Sequence, residues 1–278
     1  MSLLKKETAA AYELVCRLPV FDRADENGRV RVCIAGTDLF CEELFKAMVW
    51  STQREGFRLE LDICAGREES ERLVRRYPEL FHTERLSDSG EIFYNVTAIS
   101  EAEISGKQYG FALFSHLSGV NSDLMNCAKG SVVLKSETSA VLYGECSERI
   151  SEIPLDWERF VKESGIEDMA LALFCSFNGE KKQLFFENEY YYRSSVASVM
   201  FWYLRRKQGL STCVNEENKM LEHRRWSAFT RTEGYRFGSV RSDKEKLHPC
   251  LVAWDMLDRA TQDYDAEPIR TINQFFGI

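Results

Sequence analysis

Between Glu222 and His248 the chain carries seven Arg or Lys side chains (224, 225, 231, 236, 241, 244 and 246) against four acids (222, 233, 243 and 245). Trp226, Phe229, Tyr235 and Phe237 are interleaved with them. Guanidinium groups fork phosphate oxygens and aromatic rings stack on a planar base, so this mixture suits a phosphorylated aromatic ligand. From Asp255 to Glu267 the balance reverses, with five acids and one arginine. A net charge of −8 over 278 residues leaves no general basic surface for nucleic acid, which directs the patch to something small. The candidate ligand-binding residues are Arg225, Trp226, Tyr235, Arg236, Lys246, His248 and Trp254. A helix is expected from about Glu216 to Thr232, with His223, Trp226 and Thr230 on one face and Arg224, Ser227 and Arg231 on a neighbouring one. The plain alternative is a tryptophan filling a small core while the arginines stay in solvent. Pro249, Cys250 and Leu251 read as packing residues, and Glu222 as a partner for His223 or a nearby amide.

A second candidate lies near the N-terminus, where "VRVCIA" (Val30 to Ala35) reads as a strand broken by Gly36 and followed by a helical pattern. A dinucleotide-binding turn at this place needs G-x-G-x-x-G spacing so that the backbone can approach a pyrophosphate. Here the three positions are Gly36, Asp38 and Cys41. A carboxylate at the middle position repels a diphosphate, and the second strand ends in Ala65 and Gly66 rather than an acid for ribose hydroxyls. Gly36 and Asp38 are the candidate cofactor positions, with a nucleotide as the cofactor, and the expectation is a scaffold that binds no dinucleotide in the usual way. No paired catalytic constellation stands out, so a non-enzymatic role is expected. Nine cysteines without a CxxC pair support neither a disulfide framework nor a structural zinc site.

The elements that must position these residues alternate. "VRVCIA" and "FRLELDICAG" are strands, "TDLFCEELFKAMVWSTQREG" and "REESERLVRRYPEL" helices, the second ended by Pro78. Runs at "EIFYNVTAI", "YGFALFS" and "SAVLYGE" add strands, with "SGVNSDLMNCAKG" a helix between the last two. This alternation predicts a parallel sheet with helices on both faces over roughly residues 28 to 145. Beyond Pro154 the pattern is helical: "LDWERFVKESG", a hairpin or broken helix turning at Asn178-Gly179, and a long helix through "YYYRSSVASVMFWYLRRK". The apolar face of that helix would hold Val196, Val199, Met200, Tyr203 and Leu204, and the segment doubles as a surface for a homodimer. The expected division is an N-terminal helical segment (1–27), a Rossmann-like domain (28–150), a connecting helical region (151–214) and a C-terminal domain (215–278). No run of about 18 uncharged apolar residues and no secretory signal are visible. A cytoplasmic protein is expected, with a membrane-bound partner or parent domain left open.

The strand, glycine turn, "EELFKAMVW" helix and second strand resemble the TrkA-N type of Rossmann domain, the nucleotide-binding module of potassium uptake systems, without its diagnostic glycines. The C-terminal run "EHRRWSAFTRTEGYRFGSVRSDKEKLHPCLVAWDMLDRATQDYDAEPIRTI" resembles the RyR domain, the ryanodine receptor repeat in its bacterial form. The matching features are Glu222-His223 with Trp226, Gly234-Tyr235 and Gly238, Asp243 and Lys246 before "HPCLV", Asp255-Met256-Leu257, and "QDYD". Together the resemblances imply an α/β chain in which a Rossmann-like parallel sheet domain precedes a mainly helical RyR-type domain. The implied function is non-enzymatic sensing of a small, nucleotide-derived ligand. The alternative is a TrkA-N-type regulator of potassium transport that binds a nucleotide.

Overall fold

The computed structural model describes residues 3–81, 93–104, 106–114, 128, 131–136, 139–143 and 149–277. Helix α1 (Lys6–Arg17) leads to β1 (Arg29–Ala35), α2 (Leu39–Ser51), β2 (Arg58–Cys64), α3 (Arg67–Arg76), α4 (Pro78–Phe81), β3 (Tyr94–Ile99), β4 (Phe111–Phe114), β5 (Ser131–Ser136), β6 (Ser139–Tyr143) and β7 (Arg149–Pro154). These strands form one sheet in the order β3-β2-β1-β4-β5-β6-β7. The first five are mutually parallel, the arrangement of a Rossmann-like sheet. Apolar side chains recur along β1 and β2, with Val30, Val32, Ile34, Leu59, Leu61 and Ile63 all buried.

The sheet departs from the sequence expectation at its far edge. "SAVLYGE" was expected among the parallel strands, but β6 runs antiparallel to β5 and to β7. Only two residues separate β5 from β6, and so short a link reaches only an antiparallel neighbour, whereas a parallel one needs a crossover of a dozen residues or more. Pro78 does not merely end a helix; it opens α4, at the first helical position where its missing N–H costs nothing. The helix expected at residues 118–130 lies outside the described residues, apart from Ala128.

The C-terminal half consists of α5 (Trp157–Ser164), α6 (Ile166–Asn178), α7 (Lys182–Glu187), α8 (Glu189–Lys207), α9 (Glu216–Thr232), the two-stranded pair β8 (Arg236–Phe237) and β9 (Leu247–His248), α10 (Arg259–Tyr264) and α11 (Glu267–Phe275). The turn at Asn178-Gly179 joins two helices, not two strands. One continuous buried core runs from Leu4 to Ile272 and includes α1, α2, the sheet, α8 and α9. Trp50 of α2 meets Phe229 of α9 edge to face at 6.5 Å and Tyr12 of α1 at 5.2 Å. Helix α8 is central to this core: every residue from Val196 to Trp202 is buried. Those residues are therefore not free to meet a second copy, which removes them as the expected homodimer surface. No helix among the described residues is long and apolar enough to cross a membrane.

Charges are buried where the halves meet. Glu43 and Lys46 of α2, Arg193 of α8 and Glu233 at the end of α9 form a buried cluster with two charges of each sign, and Arg193 also reaches the half-exposed Glu189 at 3.7 Å. Lys46 Nζ lies 2.8 Å from Glu43 and 3.4 Å from Glu233, and Arg193 Nη2 lies 2.7 Å from Glu43 and 3.0 Å from Glu233. Burial works to raise the Glu233 carboxyl, but Lys46 and Arg193 overcome it and hold it below its ordinary value. Arg205 of α8 makes a second strap to Glu55, just beyond α2, at 3.0 Å.

Removing one member of a buried ion cluster leaves an uncompensated charge, so Arg193→Met should cost about 3–5 kcal/mol in urea unfolding at neutral pH. Adding Glu233→Gln to it should recover part of that loss. The sign of the pH effect follows from the lowered Glu233 value. The carboxylate stabilises the fold above the ordinary glutamate range, and this contribution is lost as the pH falls through its depressed folded value. Unfolding curves taken across that acidic range should fall less steeply for Glu233→Gln than for the parent chain.

Candidate functional site

Helix α9 starts on Asn215, whose side chain accepts from Asn218 N, and stops at a glycine cap. Gly234 takes a left-handed φ of 84°, and Tyr235 N donates back to the Thr230 carbonyl at 3.2 Å. This return path requires a residue without a Cβ. It folds Tyr235 against Tyr190 of α8, ring centroids 5.9 Å apart. Lys246 Nζ covers the same ring at 4.6 Å, and Asp243 accepts from the Tyr235 hydroxyl at 3.1 Å. Burial, with the Asp243 carboxylate beside it, pushes the Tyr235 phenol up to about 12, so it stays neutral. Gly238 is needed for a different reason: a Cβ there would meet Leu247 at 2.9 Å.

Above α9 and α8 lies a cavity of about 350 Å³, within the range of small-molecule sites. Its aromatic wall includes Trp226, Tyr190, Tyr191 and Phe174, and Phe177 and Tyr264, 44% and 62% exposed, stand at its rim. Trp226 stacks on His223 at 5.7 Å and meets His248 edge to face at 4.9 Å. Cys250 N donates to His248 Nδ1 at 3.2 Å, which leaves the ring proton on Nε2. Burial, and then Arg241, lower the His248 value against the pull of Asp243, so the ring is neutral at pH 7. His223 Nε2 donates to the Val252 carbonyl at 2.9 Å, and its Nδ1 faces Asp265 at 3.6 Å. Burial raises the Asp265 carboxyl.

Of the seven predicted ligand residues, Arg225, Trp226 and His248 line this cavity. Arg225 is 1% exposed, and its Nε and Nη2 are engaged by Glu222 at 2.9 and 2.7 Å. Only its Nη1 is left over, buried and without a partner. Tyr235 and Lys246 stand behind the wall as described. Trp254 contacts His223 at 5.8 Å without lining the cavity, and Arg236 lines a separate groove of about 780 Å³ with Phe237 and Met256. Glu222 is not the partner of His223. Besides Arg225 it accepts from Ser198 Oγ at 2.8 Å and from Trp202 Nε1 at 2.7 Å, tying α9 to α8. The sequence reading missed Tyr190, Tyr191, Ser194 and Ser195 as cavity residues. The aromatic run "EYYYRSS" is their signal in the sequence.

At the strand β1 turn, Gly36 has a φ of 132° and Asp38 caps α2 by accepting from Cys41 N at 2.8 Å. Glu42, buried one turn in, accepts from the Tyr77 hydroxyl and pairs with Arg76. Carboxylates therefore stand on the helix N-terminus where a Rossmann diphosphate would be held. Within β2, Asp62 accepts from Lys107 at 2.8 Å and Tyr109 at 2.7 Å.

Sheet order and cavity together define the class: an α/β protein with a Rossmann-like parallel sheet, followed by a mainly helical region that carries an aromatic-walled pocket. No family model matches the sequence, and no curated protein matches it significantly.

Because the Asp38 side chain caps α2, Asp38→Ala should lower stability by about 1 kcal/mol. Equilibrium dialysis against NAD should detect no binding to either Asp38→Ala or the parent chain at this turn.

Proposed function

We propose that the chain is a non-enzymatic, cytoplasmic ligand-sensing protein. Its C-terminal RyR-type unit takes a small, nucleotide-derived ligand into the cavity between α8 and α9. The observation that carries this reading is the cavity itself: aromatic on its walls, of small-molecule size, with Trp226 and His248 meeting inside it. Stacking on a planar base suits such rings, and Arg241, half exposed at the opening and paired with Asp243 through Nε, keeps its terminal nitrogens for a phosphate left outside. Coupling to the Rossmann-like half would run through α8, whose Ser194 and Ser195 face the cavity while the adjacent Arg193 belongs to the buried charge cluster. The TrkA-N-type alternative, a potassium-transport regulator with its nucleotide at Gly36 and Asp38, draws support from the sheet order alone. The Asp38 cap works against it.

Calorimetric titration of the full chain with a panel of mononucleotides and NAD-derived compounds tests the reading. At least one should bind, and Trp226→Ala should weaken it by about tenfold or more, since stacking on one aromatic ring contributes about 1–3 kcal/mol per base. If the folded chain binds none of them, the proposal fails.

A further inference from the structure

We propose that the cavity takes a nucleotide whose base is itself a cation, a pyridinium ring of the oxidised nicotinamide kind, in preference to the same nucleotide with an uncharged ring. The inference rests on the reading that this cavity is the ligand site. It comes from a carboxylate in the cavity wall that no close arginine or lysine matches.

Two carboxylates, Glu222 and Asp265, line the cavity. Glu222 is matched by Arg225 at 2.7 Å and also accepts from Ser198 and Trp202. Asp265 stands differently. Its Oδ2 is turned to the His223 ring at 3.6 Å, and among the described residues no Lys or Arg lies within ion-pair reach of it. With only 15% of the side chain exposed, water offsets little of this, and burial raises the carboxyl. Asn178 adds a neutral acceptor to the wall: its Nδ2 donates to the Phe174 carbonyl at 3.0 Å, which leaves Oδ1 to accept. Asn178 is also the last residue of α6, a helix with no basic side chain in its last turn, so the partial negative charge of the helix end falls at the same cavity.

The aromatic residues decide the shape of the cation. Phe177 and Tyr264, each next in sequence to one of these two acceptors, pair at the rim with centroids 6.0 Å apart. Trp226, Tyr190, Tyr191 and Phe174 continue the aromatic wall. Aromatic rings attract a cation through their quadrupoles, more strongly away from water, and a planar cation stacks on them as well. A small ammonium ion would satisfy the charge and leave the aromatic walls unfilled; a neutral base would stack and leave Asp265 unmatched. At the opening Arg241 carries the opposite sign, so the cavity has the polarity of a pyridinium mononucleotide, with its cationic base inside and its phosphate outside. Adding hydride to such a ring removes its charge, so the site distinguishes the oxidised nucleotide from the reduced one.

Nicotinamide mononucleotide and its dihydro form are the probes to use, because they share the ribose, phosphate and carboxamide and differ in ring charge. In calorimetric titrations of the full chain the oxidised compound should bind at least about tenfold more tightly. Asp265→Asn keeps the side-chain shape and removes the charge, and the ratio between the two compounds should then fall to about threefold or less. Tyr264→Leu, at a residue 62% exposed where the fold is not at stake, should weaken the oxidised compound more than the reduced one. Thermal melts check that Asp265→Asn is folded, and if it is not, the parent ratio and Tyr264→Leu decide. Equal or tighter binding of the reduced compound by the parent chain, or a ratio that survives Asp265→Asn, would overturn the proposal while leaving the ligand site standing. If other nucleotides bind but neither of these two does, this proposal alone fails; if nothing in the wider panel binds, the site assignment fails with it.

Discussion

The arrangement depends on four charges that have been taken out of water together. Glu233 sits at the C-terminal end of α9, where the helix dipole disfavours a negative charge. Lys46 and Arg193 hold it there, and Glu43 balances them. The four charges come from three helices, so the cluster is satisfied only when α2, α8 and α9 are all docked. Such a cluster adds little net stability compared with an apolar core, but it penalises any packing that leaves a member unpaired. Here it fixes α9 against the sheet side of the molecule, and with it the helix face that bears His223 and Trp226.

The cavity follows from that placement. Glu222 joins α9 to α8 by accepting from Ser198 and Trp202, and the glycine cap returns Tyr235 to Tyr190. These contacts set the separation of the two helices, and α6, α10 and the His248 strand close the remaining sides. The arginines that drew attention in the sequence divide into different roles. Arg225 is a buried tie, Arg241 stands half exposed at the opening, and Arg236 faces another groove.

Much of the fold was legible because it depends on local pattern. The apolar runs of β1 and β2, the bounds of α9, and the helical character beyond Pro154 all come from spacing of apolar residues. The antiparallel turn of β6 was not legible in that way, since the residues of "SAVLY" suit either direction and the short link before them decides. Within the site, Trp226 and His248 were identifiable from residue type. The burial of Arg225 was not, although Glu222 three residues earlier on a helix was its available sign. Asp265 was missed because 42 positions separate it from His223, and only the docking of α10 and α11 brings them together. At the strand β1 turn, the glycine spacing was readable from the sequence, and the structure adds the Asp38 carboxylate as the cap of α2.

The central claim is that the sheet and the C-terminal helices are one cooperative body joined through the buried charges. Native-state hydrogen exchange of the full chain tests it most directly, by comparing amides in the middle of α2 with those in the middle of α9. If the account holds, both sets open with the same free energy and the same denaturant dependence, because neither helix can leave without breaking the cluster. If α9 opens at a clearly lower free energy while α2 stays protected, the halves are independent and the account is contradicted.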